Sequence, residues 1–307
     1  RPATNIYYEG RGLICLGWGR GDMATQLYCD GGDGRHTHRH QAPLSLLLFA
    51  GGREVLPDLG YIGDHPANAW IKTTASHNTV IVDESPATPT GNTRLMGFID
   101  EGSFRFLDVK TEMPIGDGRD TDCIQFRRAI VLLPKPDGLP VFIDIFDVVG
   151  GRLHDYIVRA NDPDGHFLLT GLTPTDRQPL YQGFTHSDPT SFRTAGAVTT
   201  PFTACWGQTD RLWTHVLTPS DEVFTFKAPA WRNREEVFVD PHRGWETLVL
   251  RYTSGPSRFV VVYDVGGEKP WIERVELKTL YPKVRLAIHT DSECIEWIID
   301  NGECHSG

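Results

Sequence analysis

Short runs of β-branched and aromatic residues recur along this chain, while windows with helical periodicity and caps are few. The runs Leu44–Phe49, Thr79–Val82, Ala129–Leu133, Val141–Val148, Thr247–Tyr252 and Phe259–Tyr263 read as strands, with Gly, Pro or Asp close by. Pro134–Gly138 and Asn161–Gly165 read as turns, because each sets a proline, which fixes φ, ahead of a glycine, which accepts positive φ. Many short strands joined by turns predict an all-β fold with little helix, a large antiparallel two-sheet β-sandwich. No fixed-period repeat or low-complexity linker interrupts the chain, so residues 1–307 read as one sandwich region. The stretch 170–203 is rich in Thr, Pro and Ser and poor in strand signal, and is expected to be a long loop or a crossing between two halves.

Composition narrows the function classes. A length of 307 residues with 39% hydrophobic content is enough for a sizeable core. The formal net charge of −10 lacks the basic footprint of a general nucleic-acid binder, so an anionic ligand would need a local patch of cations. No stretch of about 20 apolar residues occurs, so no membrane-spanning helix is expected. Six cysteines stand at wide spacings without a CxxC pair, which argues against a thiolate zinc ribbon and is compatible with disulfides or with buried thiols. The chain opens Arg-Pro-Ala-Thr with neither an initiator Met nor an apolar leader, and reads as a mature segment or part of something longer.

The most informative segment is Gly34–Gly52, GRHTHRHQAPLSLLLFAGG. His36, His38 and His40 alternate, so in an extended chain all three share one face. Three imidazoles on one face are expensive to bury unless paired or bound to metal, and imidazole is the commonest protein ligand for metals. The competing reading is three surface histidines with no ligand. Two later segments bear on the choice. In Glu54–Tyr61, EVLPDLGY, Asp58 can complete a metal shell or cap a turn. In Ala69–Asp83, AWIKTTASHNTVIVD, His77 stands just before a strand as a ligand or as a hydrogen-bonded core histidine, and Asn78 can orient a ligand or a sugar hydroxyl.

Taken in order, these segments resemble the C-terminal β-sandwich domain of the heparinase II/III-like polysaccharide lyases, to which oligoalginate lyases are related. The family pattern H-x-H-x-D-x-L-S is matched by His38 to Ser45, the D-x-G-x-Y turn by Asp58 to Tyr61 with Tyr61 one place early, and A/S-H-N-T-V by Ser76 to Val80. Arg127–Gly151 also looks like the family's sandwich core, and the resemblance is strongest over the first half of the chain. Carried over residue by residue, it implies that His40, Asp58 and His77 are ligands of a divalent metal, zinc in the family, and that His38 helps catalysis. The Leu44–Ser45 pair fixes this register and leaves His36 off the pattern. Ala42 stands where the family has Asp, and loss of an orienting partner there would loosen a ligand. Family members also carry an N-terminal α/α-toroid, which nothing in this sequence reads as, so that domain is an expected partner N-terminal to this chain.

The resemblance implies β-elimination on a uronate-containing polysaccharide, with periplasmic or secreted localisation by family habit. His38 is the candidate acid or base, and Arg39 and Asn78 are candidate substrate contacts, with Arg35 and Lys72 as further cations. Trp70 and Tyr61 can stack on sugar rings, although Trp70 reads more readily as core because it lies in a strand-like run. Two alternatives stand beside the lyase: a non-catalytic carbohydrate-binding or structural module, and a two-histidine-one-carboxylate iron oxygenase, which uses the same ligand types.

Overall fold

A computed structural model describes residues 3–32, 40–88, 90–100, 102–114, 123–176, 179–199 and 201–306. His36, His38, Arg35 and Arg39 lie outside the described residues. Among those described, the strands form four antiparallel sheets, and helices are limited to single turns and the short segments Asn68–Ile71 and Arg234–Val239. The all-β antiparallel expectation is borne out. Each strand run read from the sequence lies within or overlaps an observed strand; Ala129–Leu133, for example, is part of Cys123–Pro134, and Val141–Val148 is part of Pro140–Val149.

The central layer is an eight-stranded sheet whose middle strands are Ser257–Gly266, Pro140–Val149 and Cys123–Pro134. It is covered on both faces, and its alternation shows how. Phe126, Ile130, Leu132, Phe142, Phe146, Phe259 and Val261 face one core, while Ala129, Val131, Ile143, Ile145, Val260 and Val262 face another. The second core is closed by a four-stranded C-terminal sheet through Ile272, Val275, Leu286, Ile288 and Trp297. The first is closed by two five-stranded sheets. One is a meander of strands drawn from residues 6–56, and the other contains Val80–Val82, His154–Arg159, Gly244–Tyr252 and Glu222–Pro229. The layer opposite the central sheet is therefore divided in two, and a third layer lies behind. Strands buried on both faces read as unbroken apolar runs, so the sequence does not reveal how many layers cover them.

The two five-stranded sheets meet at a seam where Leu46 and Asn78 form an isolated antiparallel bridge. The seam is tied from below by a fully buried arginine. Arg128 stands on the inward phase of its strand and pairs with Asp144 through Nε–Oδ1 at 2.9 Å and a second nitrogen to Oδ2 at 2.5 Å. Its remaining terminal nitrogen donates to the carbonyls of Leu44 at 2.6 Å and Asn78 at 2.8 Å, one on each side of the seam. Tyr156 donates to Asp144 Oδ2 at 2.5 Å, which completes the partners of a carboxylate that is itself buried. Leu44 is buried and sits at φ 54°, a left-handed conformation that a branched residue adopts only when its surroundings enforce it. The bond from Arg128 to its carbonyl is part of that enforcement.

The segment between Phe167–Thr170 and Phe202–Trp206 leaves the central sheet, contributes the two-residue strand Arg193–Thr194 to the facing sheet, and returns beside its point of departure. Trp70 is buried as core, but on the helix Asn68–Ile71 rather than in a strand. The five described thiols are free, and burial pushes those of Cys29 and Cys304 up to about 12, which keeps them inert. No described helix is long and apolar enough to cross a membrane.

A buried ion pair is a poor source of net stability, but removing one partner strands the other. Arg128→Met is expected to cost about 3–5 kcal/mol in urea unfolding, because buried Asp144 loses its counter-ion and the carbonyls of Leu44 and Asn78 each lose a donor. Arg128→Met with Asp144→Leu is expected to recover part of that loss.

Candidate metal centre

Three side chains converge just outside the seam. His40 precedes the strand Ser45–Ala50, Asp58 follows Arg53–Leu56, and His77 closes the short 3-10 turn Thr74–Ser76 before Val80–Val82. His40 Nδ1 lies 2.8 Å from His77 Nε2. Asp58 Oδ2 lies 3.4 Å from the first and 3.5 Å from the second. The side chains are 17% exposed at His40, 34% at Asp58 and 2% at His77, so the triangle is walled on one side and open on the other.

The turns that place these groups are made by the groups' own neighbours. Asp58 Oδ1 accepts the Gly60 N–H at 2.7 Å, an Asx turn that leaves Oδ2 for the two histidines. Asp58 thus caps its own turn, one of the two roles that its sequence context allowed, and keeps Oδ2 toward the histidines. The His40 segment is fastened to the His77 segment by Gln41 N–H donating to Lys72 O at 2.9 Å and by Thr74 Oγ1 donating to Gln41 O at 2.5 Å.

His77 has a defined tautomer. Its Nδ1 faces the Thr73 carbonyl at 2.7 Å and Ser76 Oγ at 2.9 Å, and the Ser76 hydroxyl lies 2.7 Å from the Ile71 carbonyl that it can donate to. A carbonyl can only accept, so Nδ1 carries the hydrogen and Nε2 presents its lone pair to the triangle. A ligand histidine oriented by a backbone carbonyl is the usual outer arrangement at metal sites. Ala42 is buried, and His77 is oriented by the Thr73 carbonyl.

The donor set fits a divalent cation. Bonds of about 2.0–2.1 Å in a tetrahedron put ligand atoms about 3.3–3.4 Å apart. The two carboxylate-to-imidazole edges match that spacing, and the imidazole-to-imidazole edge is shorter. Among the described residues, two imidazoles and one carboxylate leave the fourth position of a tetrahedron unfilled. Burial acts to raise the Asp58 carboxyl, but the adjoining imidazoles of His77 and His40 outweigh it and hold the group well below the usual carboxylate range. Asp58 is therefore an anion, ready to ligate. Asp30 stands nearby, its carboxyl raised chiefly by burial and also by the charge of Asp58.

The other expected contacts fall differently. Asn78 is 2% exposed; its Oδ1 accepts the Arg159 backbone N–H at 2.7 Å, and its Nδ2 is buried with no hydrogen-bond partner among the described residues. Lys72 Nζ lies over the Tyr61 ring, 4.6 Å from its centre. Three groups went unnoticed in the sequence: Asp30, Arg128 and Arg159. The signal for Arg128 was present, since it breaks the apolar phase of Phe126, Ile130 and Leu132 with a charge.

Comparison with known proteins bears on the family resemblance and the fold. Residues 16–104 match the family described as heparinase II/III-like, C-terminal, a span that contains all three members of the triangle. The resemblance drawn from the sequence is borne out. An alginate lyase of Stenotrophomonas maltophilia is 28% identical over 153 residues, covering 44% of this chain and 20% of that protein. The solved structure of a heparinase III superposes with a TM-score of 0.61 at 11% identity, covering 100% of this chain and 42% of that one. The heparan sulfate lyase HepC of Pedobacter heparinus gives 0.60 at 11% identity, covering 99% and 43%. At such identities the structural likeness establishes the fold. The chain spans about two fifths of the solved relatives and a fifth of the alginate lyase.

Zinc titrated into metal-free protein is expected to bind stoichiometrically. His77→Ala is expected to weaken binding by more than the roughly 10–100-fold typical of losing a ligand's orienting partner. Competition with a chromophoric chelator measures both.

Proposed function

We propose that this chain is the metal-bearing β-sandwich part of a polysaccharide lyase that cleaves uronate-containing chains by β-elimination. The observation that carries the proposal is the His40–Asp58–His77 triangle lying within the segment that matches the heparinase II/III-like family. The named relatives are an alginate lyase and heparinases, which supports the same substrate class here.

In this reaction a base removes the proton at C5 of the uronate. The electron pair forms the C4–C5 double bond, and the C4–O bond breaks with proton transfer to the leaving oxygen. The C5 proton is weakly acidic, so the adjoining carboxylate must be neutralised or hydrogen-bonded as charge develops on it. His40, Asp58 and His77 would hold a zinc ion, whose part would be to tie His40 to the Asp58 and His77 segments. The residues just before His40 in the sequence include His38, the group proposed to move a proton at neutral pH. Arg39 beside it is proposed to grip the substrate carboxylate bidentately. The remaining contacts are proposed to come from an N-terminal α/α-toroid, with the whole protein working in the periplasm or outside the cell.

A second reading, a sugar-binding or structural module without turnover, draws support from Ala42, the departure from the family pattern beside the first ligand. The two readings differ in one assay. A full-length protein carrying this chain, given alginate and heparan sulfate oligosaccharides, is expected to yield a product absorbing in the ultraviolet. His38→Ala is expected to lower that rate by 100-fold or more, a loss on the order of the 10²–10⁴ supplied by general acid–base groups. Binding without any unsaturated product, unchanged in His38→Ala, would establish the module instead. Elemental analysis finding iron and no zinc would turn attention to oxygenase chemistry.

A further inference from the structure

Arg159 is the last residue of the strand His154–Arg159 and is fully buried. Among the described residues it makes no ion pair, in contrast to the buried Arg128 and Arg251, which pair with Asp144 and Asp155. Its guanidinium donates to the Ser76 carbonyl at 3.2 Å, the Ala75 carbonyl at 3.4 Å and Thr247 Oγ1 at 3.2 Å, and lies 5.2 Å from the centre of the Trp70 ring. Its backbone N–H holds Asn78 Oδ1. Every one of these contacts except Thr247 and Trp70 falls on residues 75, 76 and 78, which bracket His77. On the other side of the same segment, Arg128 holds the Asn78 carbonyl.

A desolvated cation without a counter-charge is a burden on the fold, and an apolar side chain of similar length would be cheaper. Such a group is retained where it positions something. We propose that Arg159 is a positioning residue for the metal centre: its guanidinium sets the carbonyls of Ala75 and Ser76 so that the following residue, His77, points Nε2 at His40 and Asp58. The proposal rests on the reading of the triangle as a metal site.

The test uses Co²⁺, which reports ligand geometry through its visible spectrum, and Zn²⁺ by competition, with the full chain as wild type, Arg159→Met and Arg159→Lys. Arg159→Met removes long, weak hydrogen bonds together with an unpaired charge, two opposed effects. The metal-free variant is therefore expected to melt within about 5 °C of wild type. Its affinity for Zn²⁺ is expected to fall about 10–100-fold, and its Co²⁺ spectrum to change. Arg159→Lys is expected to resemble Arg159→Met, since one ammonium does not span both carbonyls. Wild-type affinity and spectrum in Arg159→Met would overturn the proposal. So would a metal-free melting temperature lowered by more than this, or failure to fold, because Arg159 would then be a residue of general stability. A wild-type chain that binds neither metal would overturn the underlying metal reading, whatever the variants do.

Discussion

The bidentate pair between Arg128 and Asp144 is the interaction on which the rest of the site depends. It stands in the central sheet, beneath the line where two separate sheets meet, and its free donor reaches a carbonyl on each. Without it, the segments bearing His40 and His77 would still be joined by the Leu46–Asn78 bridge, the Thr79 hydroxyl on the Pro43 carbonyl and the bonds around Gln41. Exposed charge pairs contribute about 0–1 kcal/mol, and a buried pair often breaks even against an apolar core. The value of this pair is therefore geometric: a planar fork that fixes two backbones at once, a task that hydrophobic contact, being non-directional, does not perform.

From that anchor the geometry of the centre follows in steps. The seam fixes Leu44 and Asn78, and the short turn ahead of Asn78 brings the Thr73 carbonyl onto His77 Nδ1. That hydrogen bond selects the tautomer, and the tautomer leaves Nε2 as a ligand. Asp58 uses one oxygen to shape its own turn and keeps the other for the imidazoles. The site is thus preorganised by backbone carbonyls and buried cations, with few side chains of the centre left free to choose a conformation.

Much of this was legible in the sequence, for definite reasons. The strands could be read because β-branched runs such as Ala129–Leu133 are bounded by turn residues whose backbone preferences are local. The ligand triangle could be read because the spacing of His40, Asp58 and His77 matches a family pattern, and the structure brings these three together. The layer count could not, because an inward and an outward apolar residue look alike in a strand covered on both faces. Asn78 was read as a substrate contact from its neighbourhood, yet it is buried with its Oδ1 held by the backbone of Arg159, more than eighty positions later, and non-local pairing leaves no local mark. Arg128 was visible as an out-of-phase charge, but its partners at Leu44 and Asn78 were not.

The central claim is that His40, Asp58 and His77 hold a divalent metal. X-ray absorption at the zinc edge, on protein purified without chelators, tests it most directly. The account predicts bound zinc whose inner shell contains two imidazole nitrogens and a carboxylate oxygen at about 2.0–2.2 Å. A sulfur shell at about 2.3 Å, or protein that takes up no metal, would contradict it.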